Sequence, residues 1–246
     1  MVQRYTNPDF PAPEGGLHAE WARMLGTPIG LGRPLVVFSG WRALRLPGAV
    51  LARRLRMLAG DKPGRSTGVA FTLCGRIESA VERAVAKVEA QWPSGVSDQT
   101  VEVDVVGISM GGLVARAAAR GGGGHKRLRI KRLFTLASPH RGARIAKVLA
   151  LDASARAMRP GSGLLEALDE SLGEAQYELV CYARLRDGWV GARNTAPPGR
   201  EPIWTPGLWV MGHHTISADR MIITDIARRL RGEEPLALRA STPPRE

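Results

Sequence analysis

The sequence predicts an α/β protein: one domain with a mostly parallel central sheet and helices on both faces. Three observations carry this. Short continuous apolar runs, as made by strands buried on both faces, alternate along the chain with stretches of helical periodicity. One junction joins a β-branched run, Val101-Glu-Val-Asp-Val-Val106, to an alanine-rich helix through Gly107-Ile-Ser-Met-Gly-Gly112, a turn tight enough to demand glycine. The 246 residues, 44% hydrophobic and 24% charged, suffice for one sizeable core.

Residues 1–33, with Pro8, Pro11 and Pro13, read as an irregular arm holding one short helix near His18 to Leu25. The α/β domain is expected over residues 34–232. Pro34 to Phe38 is its first strand, stopped by Ser39-Gly40, and Ala49 to Leu58 follows with helical spacing. Val69 to Cys74 gives a second strand. Ile77 to Trp92 is an amphipathic helix with Ile77, Ala80, Val81, Ala84, Val85 and Val88 on one side. Val101 to Val106 is the third strand, and Leu113 to Arg120 is a helix ended by the glycines from Gly121 to Gly124. Leu128 to Ala137 and Tyr177 to Ala183 are the fourth and fifth strands, and Met221 to Leu230 is a closing helix. Residues 142–174 hold helical fragments and no strand, which reads as a short cap-like insertion over the carboxyl edge of the sheet. Residues 233–246, with Pro235, Pro243 and Pro244, are expected to fray.

The chemistry-bearing motif is Gly107-x-Ser109-x-Gly111, set between strand and helix. Such a turn holds the serine at its tip in a strained conformation, with the hydroxyl facing a cleft at the strand ends. A serine hydroxyl needs a general base, normally a histidine steadied by a carboxylate, in the chain order Ser, Asp or Glu, His. Asp187 follows the fifth strand and precedes His213-His214, of which only one can be the base because adjacent side chains diverge. Asp152, Glu166 and Asp169 lie in the insertion and read as solvated surface, each an available substitute. His125 sits in a basic glycine-rich loop. His140 follows the fourth strand near the cleft but precedes the candidate acids, and Asp219 reads as the cap of the last helix. The oxyanion of an acyl intermediate would take backbone N–H groups from Met110 and Trp41, with Gly40 letting the first loop come close. Trp41, Trp189, Trp204 and Trp209 are candidates to wall the site, or equally to pack in the core.

With those residues in place the chain resembles α/β-hydrolases of the lipase and esterase kind, near the triacylglycerol-lipase and GPI-inositol-deacylase-like group. The resemblance runs from about Leu35 to Leu230. It rests on Val-Asp-Val-Val-Gly-Ile-Ser109-Met-Gly-Gly, on Leu133-Phe-Thr-Leu-Ala-Ser-Pro-His-Arg-Gly-Ala143, and on His213-His-Thr-Ile-Ser-Ala-Asp219. In similar sequences the base commonly precedes an aspartate by six positions, which selects His213 over His214, while the histidine at the place of His140 shapes its loop. Family members usually carry His-Gly at the end of the first strand; Ser39-Gly40 keeps the glycine and loses the imidazole.

The reading is a serine hydrolase cleaving a carboxylic ester through an acyl-enzyme on Ser109, with Asp187 and His213 completing the triad and no metal or organic cofactor. A thioesterase or an acyltransferase would use the same residues. A non-catalytic lipid- or protein-binding member is the rival from another class, for which Ser39 is the cue. Gly60-Asp-Lys-Pro-Gly64-Arg lacks the ending of a phosphate-binding loop, and Ser109 occupies the place of the second glycine in a dinucleotide fingerprint. Lys and Arg number 35 against 23 Asp and Glu, for a net charge of +12. The arginines are dispersed and aromatics are few, so nucleic acid is not expected as a partner, whereas peripheral contact with anionic lipid suits the charge. Cys74 and Cys181 sit in apolar runs as inert thiols. The polar N-terminus and the absence of a long apolar run lead to an expected cytoplasmic location.

Overall fold

The computed structural model describes residues 6–43, 45–122, 124–148, 152–207 and 212–245. In chain order the elements are α1 (Gly16–Gly26), β1 (Leu35–Trp41), α2 (Arg45–Ala59), β2 (Ser66–Phe71), α3 (Ile77–Gln91), β3 (Val103–Ile108), α4 (Met110–Arg120) and β4 (Ile130–Leu136). The insertion follows with α5 (Ala153–Ala157) and α6 (Gly163–Glu170), bracketed by two short 3₁₀ turns, and then β5 (Glu178–Arg184), β6 (Ile203–Thr205), α7 (Gly212–Thr215) and α8 (Arg220–Arg231).

The strands form one sheet in the order β2-β1-β3-β4-β5-β6, and every pairing is parallel. Period-two alternation distributes each strand between two cores. Val36, Phe38, Val103 and Val105 pack with α3 and α4 on one face, while Leu35, Val37 and Val106 pack with α1, α2 and α8 on the other. Strand order reverses between β1 and β3, which leaves a crevice outside their carboxyl ends, the place where open α/β sheets bind ligands.

Several elements depart from expectation, each for a local reason. β2 lies at Ser66–Phe71 rather than at Val69 to Cys74 because pairing with β1 fixes its register, with Leu35 opposite Ser66. The small polar start of that strand fits under α2, where a side chain at Gly68 would meet the backbone of Ala49 at 2.8 Å. β1 runs through Ser39-Gly40 to Trp41 with an irregular register after Phe38. α4 starts at Met110, three residues early, because the glycines that hide helical periodicity from the sequence are what let its first turn pack. A sixth strand, Ile203–Thr205, is too short to show a period.

The tail is anchored at several points. Leu236 and Ala237 are buried, Ala237 N–H donates to Asp225 Oδ1 at 2.9 Å, and Leu238 N–H donates to the Asp9 carbonyl at 2.8 Å. Its prolines mark an extended segment pinned to the arm and to α8. Both cysteines are buried, and burial pushes the Cys181 thiol up to about 11, which keeps it protonated.

Candidate active site

Backbone strain collects at one edge of the sheet. The non-glycine residues with positive φ among the described residues are Arg42, Ser109, Ala137 and Arg186, and they follow the carboxyl ends of β1, β3, β4 and β5. Clustered outliers of this kind mark functional edges. Ser109, at φ 52° and ψ −123°, turns β3 into α4 and points into the crevice between β1 and β3.

Close packing explains the glycines of the turn. A Cβ on Gly107 would fall 2.5 Å from Gly112 Cα, and one on Gly111 would fall 2.4 Å from the Phe38 carbonyl oxygen in β1. The second contact is backbone against backbone and cannot relax cheaply. Gly111→Ala is therefore expected to destabilise the protein by about 3 kcal/mol, read as a lowered urea midpoint with an unchanged slope. Gly40 brings the β1 loop against the serine: its ideal Cβ would sit 3.3 Å from Ser109 Cβ.

Asp187 and His213 lie in contact. His213 Nδ1 lies 2.9 Å from Asp187 Oδ2, and the carboxylate is fully buried. Asp187 Oδ1 accepts from the backbone N–H groups of Trp189 and Val190 at 2.9 and 2.8 Å, so a turn of its own loop fixes the carboxylate. α7 closes over that loop through Gly212, whose N–H donates to the Arg186 carbonyl at 3.2 Å and whose Cβ would clash with the Leu185 carbonyl. Trp189 stacks on the His213 ring at 5.4 Å with an interplanar angle of 10° and meets His214 edge-on at 4.7 Å.

Ser109, His213 and His214 line one cavity of about 270 Å³. Most of its wall is apolar, from Trp41, Pro47, Ile145, Met158, Trp189 and Val190, and among the described residues no Asp, Glu, Lys or Arg lines it. Trp204 is instead a core residue, its indole N–H donating to Ser241 Oγ at 3.2 Å. Trp209 lies outside the described residues.

The other candidates separate cleanly. His140 is fully buried between Arg116, whose Nη1 is 3.0 Å from its Nδ1, and Thr135, whose Oγ1 is 3.1 Å from its Nε2. Burial and the neighbouring Arg116 and Arg141 charges hold it well below the usual histidine range, so it is neutral. With Arg116 donating to Nδ1, Nε2 carries the proton and donates to Thr135. Asp219 caps α8 through Met221 and Ile222 N–H, and the His125 ring contacts its neighbour's carbonyl at Lys126. Glu166 is exposed, and Asp169 pairs with Arg116 at 3.2 Å.

Asp152 is not free surface. It caps α5, accepts from the Trp41 indole N–H at 2.9 Å and pairs with Arg42 at 3.3 Å, so it ties the β1 loop to the insertion. Ser39 is 2% exposed and lines the cavity, and its hydroxyl has no hydrogen-bond partner among the described residues.

Solved structures share this architecture. Phospholipase PlaB from Legionella pneumophila superposes with a TM-score of 0.60 at 13% identity, over 81% of this chain and 60% of its own. The mature form of the Bacillus licheniformis lipase BlEst2 superposes with a TM-score of 0.53 at 12% identity, over 76% of this chain and 88% of its own. The chain has the α/β-hydrolase fold. It spans about three-fifths of the length of PlaB, and at these identities the likeness to both proteins is one of fold. Within this α/β-hydrolase fold, residues 72–155 match the model of the PGAP1-like alpha/beta domain, a stretch that holds Ser109 and the buried His140 loop. No curated protein matches the chain. Among the described residues no helix is long and apolar enough to cross a membrane, and no cluster of side chains is suited to hold a metal ion.

Proposed function

We propose that this protein is a serine hydrolase that cleaves carboxylic esters through an acyl-enzyme on Ser109. The observation that carries this reading is the convergence on one cavity of a strained serine and a histidine fixed by a buried carboxylate. Asp187 holds the proton of His213 on Nδ1 and leaves the Nε2 lone pair for the serine. His213 removes the Ser109 proton as Oγ attacks the ester carbonyl, and the Met110 and Trp41 N–H groups receive the oxyanion. The imidazolium, steadied by Asp187, protonates the departing alcohol. Water then attacks the acyl-enzyme with the same base, releasing the acid and restoring Ser109. The binding-protein alternative rests on Ser39, yet the approach of Gly40 to Ser109 needs only the glycine, and that is kept.

Lipid esters are the substrate class favoured by the surroundings. Three of the most exposed large apolar side chains, Leu46 at 74%, Leu73 at 91% and Val148 at 84%, follow the carboxyl ends of β1, β2 and β4. Hydrogen bonds join the three loops: Thr72 Oγ1 donates to the Ala43 carbonyl at 2.8 Å, and Ser154 N–H donates to the Gly75 carbonyl at 2.9 Å. An apolar rim beside an apolar cavity suits a substrate presented at an aggregated surface.

The direct test is turnover of p-nitrophenyl butyrate, which the proposal requires and a non-catalytic protein would not show. The rim is tested by a Leu73→Ser/Val148→Ser double variant. Each residue contributes roughly 1 kcal/mol or more to contact with a lipid surface, so activity on an emulsified long-chain ester should fall by about tenfold or more. Activity on the soluble ester should stay within about twofold of wild type; equal loss on both substrates would remove the interfacial role.

A further inference from the structure

A second cavity lies at the amino-terminal edge of the sheet, away from Ser109. It measures about 120 Å³ and sits between the second half of α4, the lead-in to β4 and the segment joining α6 to β5. Arginines dominate its lining: Arg116 and Arg120 project from one face of α4, four residues apart, and Arg127 and Arg129 come from the approach to β4. Ser171, Gln176 and Tyr177 add neutral polar groups, and Glu174 is the one acid in the lining among the described residues.

The charges there are incompletely answered. The Arg116 side chain is 1% exposed, so its guanidinium is out of water. Its Nη1 reaches His140, and its Nη2 donates to the Leu168 carbonyl at 2.6 Å and to Asp169 Oδ1 at 3.2 Å. Among the described residues its Nε–H is buried with no hydrogen-bond partner. Arg129 pairs with Glu102 at 3.3 Å, whereas among the described residues neither Arg120 nor Arg127 is paired with a carboxylate. Burial pushes the Tyr177 hydroxyl up against the opposing pull of the adjacent Arg116, so it stays protonated.

We propose that this cavity binds a single phosphate group, held by the guanidinium groups of Arg120 and Arg127. Planar guanidinium donors match tetrahedral oxyanions, and charge-assisted bonds of this type are among the strongest available. The size of the cavity restricts the ligand, because pockets for drug-sized molecules run to roughly 300–1,000 Å³. A phosphate group in this position bridges α4, which carries Ser109 at its start, to the Ser171–Tyr177 segment at the end of the insertion. The inference stands apart from the hydrolase reading, since none of its residues lines the Ser109 cavity.

The test is thermal unfolding and titration calorimetry of the full chain in potassium phosphate, glycerol 3-phosphate and potassium chloride at matched ionic strength. Phosphate should raise Tm by about 3–6 °C over chloride at roughly tenfold its Kd, with saturable calorimetric binding. Tighter binding of glycerol 3-phosphate would assign the site to a phosphomonoester, and equal or weaker binding to the free ion. An Arg120→Gln/Arg127→Gln variant should bind about tenfold more weakly or worse, while its Tm in chloride and its turnover of p-nitrophenyl butyrate stay unchanged. No phosphate effect beyond chloride, or the same effect in the double variant, would overturn the proposal. So would saturable binding to an oligonucleotide alone, since a lone phosphate group would then not be the ligand.

Discussion

Ser109→Ala is expected to lower kcat for a soluble ester by about 10⁴-fold or more and to leave the protein folded, if Ser109 is the nucleophile as proposed. The size of the effect follows from removing the atom that forms the covalent intermediate, after which only the oxyanion donors and substrate binding act on water as the nucleophile. Folding is spared because the strain at φ 52° belongs to the backbone and the retained Cβ, which alanine shares with serine. Ser109→Gly makes the complementary point. Glycine relieves the positive φ, so that variant should be inactive and more stable, by about 1 kcal/mol in urea unfolding. A serine at an ordinary turn would show neither the loss nor the gain.

Asp187→Asn is expected to lower kcat by about 10⁴-fold, and the hydrogen-bond geometry explains why a near-isosteric change should do so. Oδ1 accepts two backbone N–H groups, from Trp189 and Val190, so the amide oxygen of asparagine must take that position. The amide NH₂ then faces His213 Nδ1, where Oδ2 accepted before. His213 is forced into the tautomer protonated on Nε2 and offers Ser109 a proton where it should offer a lone pair. Steady-state kinetics with unfolding curves reads both halves: a large fall in kcat with little change in stability. Asp187→Ala would instead leave those buried donors without an acceptor and cost several kcal/mol of stability.

Much of this architecture is legible in the sequence because strands buried on both faces leave unbroken apolar runs, as at Leu35 to Phe38 and Val103 to Val106. Where a strand draws its stability from its partner, the signal fades. Ser66-Thr-Gly at the start of β2 pairs because β1 is beside it, and Ile203–Thr205 is three residues between prolines. Ser109, Asp187 and the pair His213-His214 could be named from motif, strand-end position and chain order, and the family resemblance chose His213 within the pair. The groups around them could not, because they depend on approaches between distant parts of the chain. The Trp41 indole reaches Asp152 across 111 residues, and Trp189 covers His213 only after α7 folds back over the β5 loop. Arg116 shows the same limit, since nothing in the alanine-rich run Leu113 to Arg120 announces a buried guanidinium. The anchors of the tail at Asp9, Asp225 and Pro202 are illegible for a related reason: proline content speaks to helix and strand, whereas these contacts are tertiary.

The measurement that bears most directly on the central claim is labelling of the folded wild-type protein with a fluorophosphonate ester, followed by peptide mapping. A serine activated by His213 is expected to displace the leaving group and carry one phosphonyl adduct, on the peptide containing Ser109, with turnover lost in proportion to labelling. Asp187→Asn should label far more slowly and Ser109→Ala not at all. An adduct on another residue, or a folded protein that turns over ester unlabelled, would contradict the assignment of Ser109 as nucleophile.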